Sequence, residues 1–63
     1  MAQTPEERKD AWLLGRVGRT HEVVDGRHVL KDPGGILMAS NRDLGRAVDT
    51  AIRRGRPAAR AHR

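Results

Sequence analysis

The chain has 63 residues, a formal net charge of +5 and no cysteine. This length allows one small domain, and without cysteine neither a disulfide framework nor a thiolate metal site can stabilise it. The two longest apolar runs, 11–14 and 36–39, are too short to cross a membrane or to form a signal-peptide core, so we expect a protein of the reducing cytoplasm.

The apolar inventory of the chain is small. It contains only fourteen large apolar side chains between residues 12 and 52. A core built from so few groups offsets little of the entropy lost on folding. We therefore expect that a partner or a second copy of the chain contributes to its stability.

The first predicted element is a short helix over about residues 5–14. Thr4 and Glu7 have the spacing of a capping box, and Pro5 is suited to the first helical position. The run Ala11–Leu14 supplies the apolar side, and Gly15 favours termination.

A β-hairpin is predicted next. Two β-rich runs, 20–24 and 27–31, flank the dipeptide Asp25-Gly26, which is typical of a type I′ turn. A second turn at 32–35 then leads to a third strand over 36–39. The simplest arrangement is a three-stranded antiparallel meander.

The last predicted element is an amphipathic helix with Ser40 as its cap and Asp43 three residues later. Gly55 ends this helix and Pro57 prevents it from resuming. One apolar stripe with helical spacing consists of Leu44, Ala47, Val48, Ala51 and Ile52. The fold class is therefore α+β, with a small domain over 1–55 and a basic, flexible tail over 56–63.

Positive charge is concentrated at the C-terminal end of the sequence. Residues 1–52 contain eight basic and eight acidic side chains, whereas residues 53–63, which we call the arm, contain five arginines and no acid. A neutral body with a cationic arm predicts contact with a polyanion, and nucleic acid is the leading candidate. The predicted contact residues are Arg53, Arg54, Gly55, Arg56, Pro57, Arg60 and Arg63.

The segment Arg53-Arg54-Gly55-Arg56-Pro57 resembles the AT-hook, whose core is Arg-Gly-Arg-Pro in a basic setting. The resemblance covers five of the 63 residues. It implies that Arg54 and Arg56 enter the narrow minor groove of A·T-rich DNA, with Gly55 at its floor and Pro57 directing the chain. The alternative interpretation is that Gly55 is a helix cap followed by a charged, solvated end.

No set of residues with catalytic spacing is evident, so we predict a binding protein rather than an enzyme. In the expected hairpin register His21 and His28 lie diagonally on one face, but no cysteine or placed third ligand completes a metal site. Two half-exposed strand histidines are the simpler interpretation. We therefore predict no metal and no cofactor.

A second function class stays open. The chain could be an accessory or structural subunit that docks on a larger protein assembly, for example a phage virion or a host-takeover complex. If the protein is encoded by a phage, we expect it in the virion. Trp12 is the only aromatic residue, and we expect it either in the core or, with Leu37 and Met38, in a protein interface. A homodimer formed through the second helix would be compatible with both functions.

Overall fold

The computed structural model describes residues 3–55. Its elements, in chain order, are α1 (Pro5–Leu14), β1 (Thr20–Val24), β2 (Arg27–Lys31), β3 (Leu37–Asn41) and α2 (Leu44–Arg54). The three strands form one antiparallel sheet in the order β1-β2-β3. This arrangement confirms the predicted α+β class, while the predicted tail over 56–63 lies outside the described residues.

Helix α1 begins as predicted. The Oγ1 atom of Thr4 accepts a hydrogen bond from the backbone N–H of Glu7 at 3.1 Å, and the Glu7 carboxylate accepts one from the Thr4 N–H at 2.9 Å. This reciprocal capping box satisfies two backbone donors, with Pro5 in the first turn. The helix ends at Leu14, and the N–H of Gly15 donates back to the carbonyl of Ala11 at 3.0 Å.

The hairpin also forms in the predicted register. Asp25 and Gly26 have φ values of 52° and 76°, the left-handed conformation that a type I′ turn requires at both central positions. His21 lies opposite Leu30 in this register.

Strand β3 differs from the predicted run over 36–39, because it covers Leu37–Asn41. The Asp32 carboxylate accepts hydrogen bonds from the N–H groups of Gly34 and Ile36, both at 2.9 Å, and so holds Ile36 in the turn. Further on, Ser40 pairs with Val29 of β2 and therefore belongs to the strand. The pairing shifts by one residue between Leu30 and Lys31, which marks a bulge in β3.

The prediction that Ser40 caps the second helix is therefore wrong. Helix α2 begins at Leu44, and its cap is Asp43, whose carboxylate accepts a hydrogen bond from the N–H of Arg46 at 3.1 Å. Asn41 in turn accepts a hydrogen bond from the N–H of Asp43 at 2.8 Å. These side chains complete the first turn without Ser40.

The core lies between the helices and one face of the sheet. Its buried side chains are Trp12, Leu30, Ala39, Leu44, Ala47, Val48 and Ala51. Leu13 and Met38 pack against this cluster and stay partly exposed. Ile52, which the sequence places in the buried stripe, is 40% exposed. It lies at the edge of the buried face of α2, on the side away from Ala47.

The two helices run side by side in the same direction. A Cβ atom at Gly45 would lie 3.7 Å from Cγ of Pro5, so the first turns of the helices are in close contact. About one turn further along, Arg8 of α1 forms an ion pair with Asp49 of α2. The contacting residues thus follow the same order along both helices. The C-terminal ends of α1 and α2 therefore lie at the same end of the molecule.

Candidate nucleic-acid interface

The two longest segments of the chain without an acidic residue both contain arginine. They cover residues 11–21 and 50–63. The first includes Arg16 and Arg19, which follow α1, and the second includes Arg53 and Arg54 in the last turn of α2. Since the helices are parallel, the fold brings these four residues to one end of the molecule, which we call the cationic end.

Arg19 is held in place by Trp12. Its guanidinium donates a hydrogen bond to the Trp12 carbonyl oxygen at 2.6 Å, and its Cζ atom lies 4.5 Å from the centroid of the indole ring. The first contact places a cation on the C-terminal end of α1, and the second is a cation–π contact, so both stabilise this position. Trp12 itself is buried in the core, the first of the two placements expected from the sequence.

Arg53 and Arg54 end helix α2 and are both exposed. Arg54 donates a hydrogen bond to the carbonyl oxygen of Met38 in β3 at 3.4 Å. Gly55 caps the helix with φ −82°, a conformation open to other residues, and its N–H donates a hydrogen bond to the carbonyl of Ala51 at 2.9 Å.

Of the segment that resembles an AT-hook, the structure thus describes the last helical turn and its cap. The other predicted contact residues, Arg56, Pro57, Arg60 and Arg63, lie outside the described residues.

Acidic residues lie near the opposite end, where both helices begin. Glu6 and Glu7 are in the first turn of α1, and Asp43 caps α2. Their position near helix N-termini is favourable for negative charge. Arg8, Arg42 and Arg46 lie near the same helix starts, so this end carries charges of both signs, whereas the segments 11–21 and 50–63 contain no acid.

Several basic side chains of the body are paired with acids. Arg8 pairs with Asp49, and the Lys9 ammonium lies 2.8 Å from Asp10 and 3.2 Å from Glu6. Hydrogen bonds to Asp10 and Glu6 raise the pKa of Lys9 above its ordinary value. Within the described part of the chain, no ion pair with an acid involves the cationic end.

The two strand histidines contact each other directly. Nε2 of His21 lies 3.0 Å from Nδ1 of His28, and the rings are stacked with an angle of 12° between their planes. Burial, followed by the charges of Lys9 and His28, lowers the pKa of His21 below 6.5. Among residues 3–55 these histidines belong to no group of three or more metal-ligating side chains.

The other residues proposed for a protein interface have different surroundings. Leu37 is 49% exposed at the start of the edge strand β3. Met38 packs against the core, and its carbonyl oxygen accepts the hydrogen bond from Arg54. Leu37 is therefore accessible to a partner, whereas the side chains of Trp12 and Met38 mainly contact the core of this chain.

Sequence reasoning identified the arm but missed Arg16 and Arg19. Their role depends on the parallel packing of α1 and α2, which no local motif specifies. One signal was available, because residues 11–21 contain no acid to neutralise these two arginines.

Comparisons with protein-family models, curated proteins and solved structures find no match to this chain. No helix within residues 3–55 is long and apolar enough to span a bilayer.

Proposed function

We propose that this protein is a non-enzymatic nucleic-acid-binding protein that contacts phosphates through its cationic end and the arm that continues from it. The observation that carries the proposal is that Arg16 and Arg19, which follow α1, lie at the same end of the fold as Arg53 and Arg54 in the last turn of α2. An arginine side chain presents several N–H donors to a phosphate and keeps its charge at any physiological pH.

The body supports this contact by fixing where the arm begins. The arm begins at Arg53, in the last turn of α2. Its first residues therefore belong to a rigid element that the core holds in place. Arg19 is likewise fixed by Trp12. A preorganised cationic surface loses less side-chain entropy on binding than an isolated arginine-rich peptide does.

The resemblance to the AT-hook supports a preference for A·T-rich duplexes. Of its implied contacts, Arg54 and Gly55 form the last turn and cap of α2, so Arg54 has to leave the Met38 carbonyl to enter a groove, and Arg56 follows in the sequence. A narrow minor groove has a strongly negative potential, which favours inserted arginine side chains. We therefore propose duplex DNA as the partner, with phosphate contacts providing most of the affinity.

The proposal is tested by fluorescence anisotropy with a labelled A·T-rich duplex at low salt. The full chain carrying Arg56→Gln, Arg60→Gln and Arg63→Gln should bind on the order of a hundredfold more weakly than the unchanged chain, because three phosphate contacts are lost. A second variant with Arg16→Gln and Arg53→Gln tests the described part of the interface and should also weaken binding.

The matched control removes two charges elsewhere. Arg42 precedes α2 and Arg46 lies in its first turn, both at the N-terminal end of that helix, so Arg42→Gln with Arg46→Gln changes the net charge by the same amount as the two-site variant. We expect the control to reduce affinity much less than Arg16→Gln with Arg53→Gln. Equal losses would mean that only net charge matters and that the cationic end is not the contact.

A docking subunit of a larger assembly is the second candidate. The observation that favours it is the exposure of Ile36 and Leu37 at the start of the edge strand β3, where a partner could add a strand. Arg54 and Arg27, however, donate hydrogen bonds to the carbonyl oxygens of Met38 and Ser40 in that strand. Failure of the full chain to bind any duplex at low salt would favour this second function.

A further inference from the structure

Two apolar side chains project from the cationic end. Leu14, the last residue of α1, is 86% exposed, and Val17, in the loop that follows, is 94% exposed. We call this pair the apolar tip. They are the two most exposed large apolar side chains in the described part of the chain, and neither gains the free energy that burial would provide.

The exposure of the tip does not result from a loose loop. Gly18 has φ +99° and packs so closely on Pro33 that a Cβ atom at Gly18 would lie 2.9 Å from Cβ of Pro33. On the other side of Val17, the N–H of Gly15 donates to two carbonyls of α1. Together with the contact between Arg19 and Trp12, these interactions hold the tip outward.

Two arginines neighbour the apolar tip in the sequence. Arg16 lies between Leu14 and Val17 in the sequence, Arg19 follows them, and residues 11–21 include no acid. A partner that covers this surface must therefore combine negative charge with an apolar surface. The minor groove of duplex DNA has both, because phosphates line its rims and sugars and base edges form its walls.

We propose that Leu14 and Val17 enter the minor groove of duplex DNA and act as an apolar wedge, while the neighbouring arginines contact the phosphates. This inference rests on the proposed function and adds a second, uncharged part to the contact. Apolar side chains inserted at a base step partly unstack it and bend the duplex by roughly 20–90°. The protein is therefore expected to bend the DNA that it binds.

The test separates the charged and apolar parts of the contact. The full chain with Leu14→Ala and Val17→Ala is compared with the unchanged chain on a duplex labelled at both ends, with affinity measured across a salt series. Because no charge is removed, the dependence of affinity on salt should stay the same. The affinity itself should fall about tenfold at every salt concentration, and energy transfer between the labels should return to its value in free DNA.

The control is Val23→Ala with Val24→Ala. These two valines are also exposed, but they lie at the other end of β1, next to the hairpin turn. The control should bind and bend DNA as the unchanged chain does. Circular dichroism of all three proteins identifies any loss of folding.

The outcomes distinguish this inference from the proposed function. If the arginine variants weaken binding but the tip variant binds and bends DNA normally, the wedge is wrong and the charged contact remains. If neither set of variants changes binding, both proposals are wrong. Binding to phosphatidylserine vesicles that is stronger than binding to DNA and is lost in the tip variant would also overturn the wedge, because it would assign the tip to a membrane surface.

Discussion

At the scale of single residues, His21 and His28 form a direct side-chain contact between β1 and β2. A bond between Nε2 of one ring and Nδ1 of the other needs one donor and one acceptor, which two neutral imidazoles provide. The groups that face the pair include Lys9 of α1, with Glu6 and Asp10 beside it. Burial and the positive charge of Lys9 both oppose protonation of His21.

This contact predicts a pH dependence of stability. Since folding lowers the pKa of His21, the unfolded chain binds more protons than the folded chain below about pH 6.5. The stabilisation is complete above that pH and is lost as the pH falls through the lower pKa of the folded state. Urea unfolding followed by the fluorescence of Trp12 should show that His21→Gln costs more stability at about pH 7.5 than at about pH 5.5. An equal cost at both values would contradict this account.

The helix cap provides a second residue-scale prediction. Asp43→Ala removes the acceptor for the N–H of Arg46 and should lower the free energy of unfolding by about 1 kcal/mol. Ser40→Ala serves as the control, because Ser40 caps no helix and its hydroxyl only accepts a hydrogen bond from exposed Arg27. We expect a smaller loss there. A larger loss for Ser40→Ala in urea unfolding would mean that the sequence-based cap was the right one.

At the scale of elements, α2 contributes most of the core. Leu44, Ala47, Val48 and Ala51 are buried against the sheet and α1, and Val48 is fully inaccessible. The two alanines let the helix backbone approach strands β2 and β3 closely, so a small number of large side chains can still form a continuous cluster.

Burial at Val48 predicts the cost of a core mutation. Val48→Ala should lower the free energy of unfolding by about 2 kcal/mol, because it removes buried methyl groups and leaves a cavity. The same change at the exposed Val24 should cost about 0.5 kcal/mol or less. The two variants are compared by thermal or urea unfolding, and similar values for both would show that α2 is not packed as described.

Most elements could be predicted from the sequence because their signals are local. The capping box at Thr4 and Glu7 and the Asp25-Gly26 turn each act within a few residues. Strand β3 was placed too early because the Asp32 side chain, rather than the apolar run, decides where the turn ends. Ser40 satisfied a helix-cap pattern, but pairing with Val29 keeps it in the strand.

The candidate interface was only partly predictable for a related reason. The charge of the arm is visible in the sequence, whereas the position of Arg16 and Arg19 at the same end of the molecule as the last turn of α2 depends on how the helices pack. The contact between Arg19 and Trp12 joins residues seven positions apart across a helix end, where no helical spacing rule applies.

At the scale of the whole molecule, parallel packing of the two helices determines the distribution of charge. It places Glu6, Glu7 and Asp43 at one end, where arginines lie among them, and the four arginines of the cationic end at the other. Such an asymmetric field orients the protein as it approaches a polyanion and increases the rate of productive encounters at low salt. In the sequence, the arm continues from this end with three further arginines.

The most direct test of the central claim is the salt dependence of DNA binding by the full chain. Phosphate contacts by the five arginines of the arm alone predict that the logarithm of the association constant falls with the logarithm of salt concentration with a slope of about −4.5, and contacts by Arg16 and Arg19 make it steeper. Substituting Arg56, Arg60 and Arg63 with glutamine should make this slope shallower by about 2.7. Binding that is independent of salt, or absent at low salt, would contradict the claim that this protein contacts nucleic acid through its arginines.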